Sequence, residues 1–373
     1  MLEWKKLGDV CEIKGRIGFR GYTRDDQVIK GEGAISLSPG NISDGVLCYD
    51  TCTYITWSKY EESPEIMVQD GDIILCKTAS VGKVARVKHL PEKATINPQL
   101  VLIKNIVINP QFLYYVLADN PFQSRIKGLA GVGSVPNVSQ AKLASISIPV
   151  PSIAEQTRIV GILDTFTASI ENLKQQIAQR RKQYEHYRDQ LLDLEGKEGV
   201  EMKTLGEVCV LITGGEVPDN TNKGQLQPTE DHPYAVYTNG KEVYGFSNTY
   251  QVDADTVCIS SIGANTGAIF YKTGRFTPAI RLKVLLPKEG LIPKYLFYAC
   301  SKIDFRGRNT GSVPNINANY VKGRKLFVPS LAEQQRIVSI LDTFEASIAN
   351  LEQQLAQRER QYEYYRNKLL TFE

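Results

Sequence analysis

One segment of this chain occurs twice. Residues 151–195 recur at 329–373 with a constant offset of 178 (329 − 151), and 31 of the 45 aligned positions are identical. In each copy a serine that follows a proline is followed three residues later by a glutamate, as in Ser152–Glu155 and Ser330–Glu333. Such a capping box marks the first turn of a helix. The repeat therefore predicts two helices of nearly the same sequence in one chain.

Apolar side chains recur every three or four positions along both copies, beginning at Leu163 and Leu341. This spacing is kept for more than four heptads, which is typical of a coiled coil. Both copies place an arginine in the same layer, Arg180 and Arg358. Such an arginine either fixes the register of the helix pair or extends its charged end to solvent, and both interpretations stay open.

A second, shorter repeat opens each half of the chain, where residues 3–11 match residues 201–209 at an offset of 198 (201 − 3). The sequences between the openers and the helices differ far more. The chain therefore divides into four parts with these predicted boundaries: a first head (1–150), a first helix (151–196), a second head (197–328) and a second helix (329–373).

Both heads have the sequence pattern of mixed α/β domains. Apolar, β-branched runs bounded by Gly, Asp and Asn predict strands, whereas apolar segments with proline in the first turn predict short helices. The predicted strands are 72–75, 100–103, 256–259 and 282–286, and the predicted short helices are 110–117 and 293–300. The expected fold class is α/β (α+β), with two globular α/β domains separated by two long antiparallel helices that form a coiled coil.

The direction of the helix pair follows from connectivity. If a pseudo-two-fold relates the halves, each helix leaves one head and ends at the other, so the helices are antiparallel and the arrangement is circular. Arg180 is then expected near Leu355, and Arg358 near Ile177.

The bulk composition excludes several classes of site. Three histidines and seven scattered cysteines without a C-x-x-C pair speak against a zinc site or a disulfide framework. Cys11 and Cys209 match in the openers and are expected to be buried. No apolar run is long enough to span a bilayer, and residues 1–6 lack a signal-peptide core, so we expect a cytoplasmic protein with no membrane contact. The net charge of +3 alone gives little support for nucleic-acid binding.

The opener W-K-x-L-G-[DE]-V and the helix start P-S-[IL]-A-E-Q-x-R-I-V-x-I-L-D, which occurs twice, carry a family resemblance. Over essentially its whole length the chain resembles the specificity subunit of a type I restriction–modification system. The resemblance implies that each head is a target recognition domain for one half of a bipartite, asymmetric sequence in double-stranded DNA. It also implies that the helices set the spacing of the half-sites and dock two methyltransferase (modification) subunits, which restriction/translocase subunits join.

The same resemblance implies a non-catalytic chain without a cofactor of its own. S-adenosylmethionine, ATP and Mg would belong to the partner subunits, which methylate adenine N6. The sequence agrees, because it contains neither a G-x-x-x-x-G-K-[ST] phosphate loop nor an N-P-P-[YF] tetrad. The paired helical region of about 32 residues would span roughly 48 Å. Half-sites one to one and a half turns of DNA apart would match this length, since one turn is about 34–36 Å.

Polar segments recur at matching places in the two heads. The loops 77–83 and 260–267 contain glycines that permit close approach of the backbone, and they differ between heads, as residues that select a sequence should. The segments 97–99 and 277–281 offer Asn, Gln and Arg, which pair with adenine or guanine. For each segment the alternative is an ordinary solvated turn or strand edge.

Two further loops, 133–137 and 311–315, are identical in the two heads. Identity suits a contact with the DNA backbone, or a shared turn, better than base recognition. The full set of candidate DNA-binding residues is Arg16, Arg20, Lys77, Thr78, Ser80, Lys83, Asn97, Gln99, Arg125, Ser134, Asn137, Asn239, Lys241, Ser260, Asn265, Thr266, Arg281, Arg306, Arg308, Ser312 and Asn315.

The repeated helices supply the candidate spacer and partner-docking residues. These are Glu155, Gln156, Arg158, Leu163, Phe166, Ile170, Leu173, Arg180, Glu333, Gln334, Arg336, Leu341, Phe344, Ile348, Leu351 and Arg358. Two other functions remain as alternatives: a coiled-coil scaffold for protein interaction, or a self-contained DNA-modifying enzyme. The divergence of both heads speaks against the scaffold, and the missing cofactor and metal motifs speak against the enzyme.

Overall fold

The structure, a computed structural model, describes residues 2–18, 21–130, 135–306 and 315–372. The chain forms two compact units. One contains residues 1–172 and 354–373, and the other contains residues 173–353. None of the helices within the described ranges is long and apolar enough to cross a membrane.

The first head is built of short strands and helices. Its strands are β1 (Glu3–Lys6), β2 (Glu12–Lys14), β3 (Gln27–Val28), β4 (Gly33–Leu37), β5 (Ile42–Ser43), β6 (Val46–Leu47), β7 (Thr53–Thr56), β8 (Ile73–Cys76), β9 (Val84–Arg86), β10 (Ala94–Ile96), β11 (Leu100–Lys104) and β12 (Ser147–Val150). Its helices are α1 (Leu7–Val10), α2 (Trp57–Glu61), α3 (Pro110–Ala118), α4 (Asn120–Leu129) and α5 (Gln140–Ala144), and the long helix α6 (Ile153–Leu191) follows.

The second head has a similar set of elements. Its strands are β13 (Glu201–Thr204), β14 (Cys209–Thr213), β15 (Asn222–Lys223), β16 (Tyr234–Tyr237), β17 (Val243–Ser247), β18 (Val252–Asp253), β19 (Thr256–Ile259), β20 (Ile269–Lys272), β21 (Arg275–Pro278), β22 (Lys283–Pro287) and β23 (Lys325–Val328). Its helices are α7 (Leu205–Val208), α8 (Pro293–Cys300) and α9 (Ala318–Lys322), and the long helix α10 (Leu331–Leu370) follows. The predicted strands and short helices are confirmed, with boundaries within one residue.

The central sheet of the first head, in the order β2-β11-β8-β9, is buried on both faces. Side chains alternate between faces along a strand. Ile73 and Leu75 therefore pack in one apolar core with residues of α3, whereas Ile74 and Cys76 pack in a second core with residues of the sheet β10-β4-β7-β3. A strand buried on both faces needs an uninterrupted apolar run, and this is the pattern that predicted it.

The second head repeats this layering. Its sheet β14-β22-β19-β20 places Val257 and Ile259 against residues of α8, and Cys258 and Val284 against residues of the sheet β15-β17-β16-β21-β18. In each head the opener strand also pairs antiparallel with the strand just before the long helix, β1 with β12 and β13 with β23. The two heads therefore share a scaffold and are confirmed as mixed α and β domains.

Both long helices begin one residue after the predicted capping serine. The Ser152 Oγ accepts a hydrogen bond from the Glu155 backbone N–H at 3.4 Å, and the Ser330 Oγ accepts one from that of Glu333 at 3.3 Å. The glutamate half of the box differs from the prediction. The Glu155 carboxylate accepts two bonds from Arg158, at 2.7 and 2.6 Å, because residues three apart lie side by side on a helix.

The long helices pack against each other in antiparallel directions, as predicted. In the second unit Arg181 forms an ion pair of 2.6 Å with Glu352, and Tyr187 stacks on Phe344 with ring centroids 5.3 Å apart. Residue numbers therefore rise along α6 where they fall along α10, as antiparallel helices require. In the first unit the equivalent rings, Phe166 and Tyr365, stack at the same 5.3 Å.

Both arginines of the repeated layer contact aromatic rings, and the two interpretations of the layer stay open. The Arg180 guanidinium lies 5.8 Å from the centroid of the Phe344 ring, and that of Arg358 lies 5.7 Å from Phe166. The expected proximity of Arg180 to Leu355 and of Arg358 to Ile177 joins residues of different units and stays a prediction. Cation–π attraction is significant within about 6 Å, so each half-buried arginine covers the aromatic pair of its own unit.

Each long helix is joined to its head through a buried glutamine. The Gln156 Oε1 accepts the Asn109 backbone N–H at 2.9 Å, and its Nε2 donates to the Pro151 carbonyl at 2.8 Å. In the second unit Gln334 makes the same pair of bonds, accepting from Ile292 and donating to Pro329, both at 2.9 Å. The amide that each glutamine satisfies lies at the start of the short helix α3 or α8.

A tyrosine–aspartate pair makes a second link between the same two helices of each unit. The Tyr115 hydroxyl on α3 donates to Asp164 on α6 at 2.5 Å, and the Tyr298 hydroxyl on α8 donates to Asp342 on α10 at 2.5 Å. Burial, then the bond to the aspartate, raises the pKa of Tyr298 far above its usual value. The hydroxyl therefore stays protonated and remains a donor to the carboxylate.

All seven cysteines are free. Cys11 and Cys209 are buried, as predicted, and burial raises the pKa of each thiol to about 12. Cys76, Cys258 and Cys300 are buried as well. Cys48 is exposed and Cys52 is half-buried, and both follow strand β6 in the first head.

The buried glutamine gives a first prediction. Gln334→Leu removes the hydrogen-bond partner of the Ile292 N–H and that of the Pro329 carbonyl. We therefore expect the free energy of unfolding to fall by about 1–3 kcal/mol for each buried group left without a partner. Urea unfolding measures the change. The matched control is Gln335→Leu, the same change at the exposed neighbouring residue, where we expect less than about 0.5 kcal/mol. Equal effects of the two variants would contradict the anchoring role.

The buried tyrosine predicts a loss of stability in alkali. Because the folded chain holds the Tyr298 proton that the unfolded chain releases near pH ~10, the free energy of unfolding should fall as pH rises above about 10. Tyr298→Phe should make this fall shallower in urea titrations at successive pH values. Tyr364→Phe, which removes an exposed hydroxyl, is the control. Identical slopes for wild type and Tyr298→Phe would refute the assignment.

Candidate nucleic-acid interface

Three of the predicted segments meet in the first head. The segment 77–83 is the hairpin turn between β8 and β9. Its Lys77 donates a backbone N–H to the Gln99 carbonyl at 2.9 Å and accepts one from Val138 at 2.9 Å, while Thr78 Oγ1 donates to the side chain of Asn137 at 2.8 Å. Residues 77–83, 97–99 and 135–138 therefore form one loop cluster.

The second head has an equivalent loop cluster, made of residues 239–241, 260–267, 279–281 and 315–316. Its hairpin turn joins β19 to β20. Ser261 accepts the Ile316 backbone N–H at 2.9 Å, and its hydroxyl donates to the Arg281 carbonyl at 2.6 Å. Since Val138 and Ile316 match in the repeat, Lys77 corresponds to Ser261, and Gln99 therefore corresponds to Arg281.

Asn239 holds the second loop cluster together. Its side-chain oxygen accepts the Ser261 backbone N–H at 2.8 Å, and its carbonyl accepts the Ser260 hydroxyl at 3.0 Å and the Asn265 amide at 3.3 Å. Its own side-chain amide donates to the Ile280 carbonyl. One predicted residue thus connects the hairpin turn to the segment 279–281.

The segment that carries Arg281 is strained. Ile280 and Arg281 have φ values of 50° and 61°, a left-handed conformation that costs a residue with a Cβ about 1–2 kcal/mol. Their backbone N–H groups donate to the carbonyls of Gly215 at 2.7 Å and Gly214 at 3.0 Å. A Cβ on Gly214 would lie 2.7 Å from the Ala279 nitrogen, so only glycine permits this close approach.

Most other predicted residues have exposed or half-buried side chains, and several already have protein partners. Lys83 donates to the Ile42 carbonyl at 3.3 Å, and Arg306 donates to the Thr266 carbonyl at 3.1 Å. Arg125 donates to the Ser147 carbonyl at 2.8 Å on strand β12, so it lies beside the opener pair and not in the loop cluster. The remaining exposed or half-buried members are Lys77, Thr78, Ser80, Asn97, Gln99, Asn137, Asn239, Lys241, Asn265, Arg281 and Asn315.

Three candidates are buried, which speaks against the predicted contact with DNA. Arg16 is only 5% exposed, and its guanidinium donates to the Ile96 carbonyl at 3.2 Å and to Thr95 at 3.1 Å. The Ser260 hydroxyl donates to the Asn239 carbonyl, and the Thr266 hydroxyl donates to the Gly263 carbonyl within the hairpin turn. These residues shape the head, because their polar groups are satisfied inside it. The candidates Arg20, Ser134, Arg308 and Ser312 lie outside the described residues.

Two lysines beside the second loop cluster were missed. Lys283 is 5% exposed, burial lowers its pKa, and its Nζ donates to the Thr213 hydroxyl at 3.2 Å. Lys272 lies 3.7 Å from the centroid of the Tyr237 ring and donates to the Lys241 carbonyl at 2.6 Å. The sequence does contain a signal for Lys283, because a lysine within the apolar run of strand β22 is a buried cation. Burying a cation is costly unless it has a partner, so such a residue is a candidate functional residue.

The predicted spacer residues fall into three groups. Gln156, Leu163, Leu173 and their counterparts Gln334 and Leu341 are buried, because they hold the helix to its head or to the other helix. Outward on the first turns lie Arg158 and Arg336, each paired with its glutamate, Glu155 or Glu333. The aromatic, aliphatic and arginine members Phe166, Ile170, Arg180, Phe344, Ile348, Leu351 and Arg358 are partly buried in the helix pair.

The geometry of the second loop cluster predicts the effect of one substitution. Asn239→Ala removes the bonds to Ser261 N–H and the Ile280 carbonyl, so backbone hydrogen exchange at residues 260–262 and 279–282 should speed up by about tenfold or more. Exchange measured by mass spectrometry tests this. Lys241→Ala, an exposed neighbour, is the control. Unchanged protection in Asn239→Ala would contradict its central position.

Comparisons with known proteins agree with this architecture. A sequence profile of the type I restriction modification DNA specificity domain matches the chain twice, at residues 1–180 and 197–360. A Mycoplasma pneumoniae chain assigned to the type I specificity subunits is 25% identical over 98% of this chain and 97% of its own length. The EcoR124I/EcoR124II specificity subunit of Escherichia coli is 35% identical over 64% of this chain and 65% of its own length.

A solved structure shows the same fold. The crystal structure of the type I restriction–modification S subunit from M. genitalium has a TM-score of 0.66 at 16% identity and covers 100% of this chain and 97% of that one. Two domain matches account for most of the chain, one for each head and the larger part of its helix. The chain therefore belongs to the type I restriction–modification DNA specificity family.

Proposed function

We propose that this chain is the DNA-recognition subunit of a type I restriction–modification complex, in which each head binds one half of a bipartite, asymmetric target. The observation that carries the proposal is the contrast within the repeat. The two heads share a scaffold and matched anchors, yet equivalent places of their loop clusters hold different side chains, such as Lys77 and Ser261 or Gln99 and Arg281. Contacts that select a base must differ where the half-sites differ.

The repeated helices fit a partner that is present in two copies. Equivalent exposed residues recur in each unit: apolar Ile153 and Leu331 at the helix starts, and the ion pairs of Arg158 and Arg336 beside them. Two modification subunits of identical sequence would meet the same surface on both units. We propose that these subunits supply the S-adenosylmethionine chemistry on adenine N6, and that restriction/translocase subunits, which use ATP and Mg, join them. The present chain is then non-catalytic.

The helices also suit a spacer. A continuous helix keeps a fixed rise of 1.5 Å per residue, so the number of residues in α6 and α10 would set the distance between half-sites. The parts that we assign to the two tasks are 1–150 and 197–328 for target recognition, and 151–196 and 329–373 for spacing and docking. A pure protein scaffold would leave the divergence of the two loop clusters without a role.

Methylome sequencing tests the proposal. We expect co-expression of the chain with its modification subunits, in cells without adenine methylation of their own, to produce one bipartite motif with methylated adenines. The modification subunits alone are the control and should produce no such motif. If the partners co-purify with the folded chain and no motif appears, the recognition function is wrong. If a protein other than a methyltransferase co-purifies, the scaffold becomes the better hypothesis.

A further inference from the structure

One structurally equivalent position of the two loop clusters carries a different hydrogen-bonding side chain in each head. Gln99 and Arg281 both follow the strand that leads into the central sheet, β10 or β21, by three residues. The backbone carbonyl of each accepts a hydrogen bond from the hairpin turn, from the Lys77 amide at 2.9 Å and from the Ser261 hydroxyl at 2.6 Å. The two residues thus occupy equivalent positions in their heads, although only Arg281 has a left-handed backbone.

The Arg281 side chain is exposed. In the part of the chain that the structure describes, no carboxylate forms an ion pair with it or with the neighbouring Lys283, whose hydrogen bond goes to the Thr213 hydroxyl. Two cations close together without an acid repel each other, and an anionic ligand such as DNA relieves this repulsion. The guanidinium therefore keeps its donors available for a ligand.

The backbone beneath Arg281 is held firmly. Its own N–H and carbonyl, and those of Ile280, all have backbone or side-chain partners from three different segments of the head. Two consecutive left-handed residues persist only where the surroundings enforce them, and such strain clusters at functional sites. A rigid mount favours base recognition, because a bidentate bond to a base tolerates little displacement.

Gln99 is also held in place, in a different way. Pro98 precedes it, the Asn97 side chain accepts its backbone N–H at 3.0 Å, and the Asn97 amide donates to the Gln99 side-chain oxygen at 3.2 Å. Glutamine and arginine have distinct preferences in the major groove, for adenine and for guanine respectively. The chemistry at this position therefore differs between the heads in the manner that an asymmetric target requires.

We propose that Gln99 and Arg281 are specificity-determining residues: Arg281 contacts a guanine in the half-site of the second head, and Gln99 contacts an adenine in the half-site of the first. This inference rests on the proposed DNA-recognition function. On this inference, part of the sequence difference between the half-sites is due to the residue at one equivalent position of the heads. Gln99 and Arg281 would contact bases, in contrast to exposed cations that would contact phosphates.

The test uses the full complex with its modification subunits and the target that the wild type methylates. Arg281→Gln and Arg281→Lys should each weaken discrimination at one guanine of the second half-site by about 5- to 150-fold, with the first half-site still recognised. Gln99→Arg should change one position of the first half-site alone. Methylation motifs and binding to single-base variants of the target report both effects.

The matched control is Lys288→Gln. Lys288 follows the opposite end of strand β22, where its Nζ donates to the carbonyls of Gly206 and Glu207. The substitution Lys288→Gln removes one positive charge from the same head, as Arg281→Gln does, and should leave the methylation motif unchanged. Thermal unfolding of each variant shows whether the head is folded, and recognition of the other half-site shows that the complex is assembled.

Two results would overturn the inference while leaving the proposed function intact. If Arg281→Gln weakens binding equally on all base variants and lowers the salt dependence by about one phosphate contact, Arg281 holds the DNA backbone. If the motif and affinity do not change, Arg281 takes no part. A wild-type complex that methylates no bipartite motif would instead refute the proposed function itself.

Discussion

The buried glutamine at the start of each long helix is the constraint on which the rest of its unit depends. Gln156 and Gln334 each accept the first amide of a head helix and donate to the carbonyl that precedes their own helix. Both glutamines are buried, and they fix the long helix against its head by polar bonds made in the interior, where an unmade bond is costly. This explains why these polar residues are the same in both copies although neither faces solvent.

In the loop clusters, by contrast, equivalent side chains differ between the two heads. Their backbone is fixed by hydrogen bonds, as around Asn239, while several of their side chains remain exposed. This arrangement allows exposed residues to vary without disturbing the scaffold, because the bonds that hold the turns are made by the main chain and by a few side chains such as that of Asn239. The second head also accepts backbone strain at Ile280 and Arg281, which the first head avoids with Pro98.

The sequence predicted those features that depend on local patterns. Heptad spacing predicted the helix pair, and apolar runs predicted the doubly buried strands. Helix α4 is not among the predicted helices, although its Pro121 lies in the first turn, where proline is tolerated. The burial of Arg16 depends on Ile96, 80 residues away, and the meeting of Gln99 with the hairpin turn depends on sheet order. Neither is contained in spacing along the chain.

The distribution of thiols makes the two heads chemically distinguishable. The second head keeps its cysteines buried, and burial raises the pKa of Cys209 and Cys258 to about 12, so little reactive thiolate is present at neutral pH. The exposed Cys48 and the half-buried Cys52 belong to the first head. A maleimide dye would therefore mark the first head of an internally repeated molecule without any engineered residue. An optical experiment could then tell which head lies on which half of a DNA duplex.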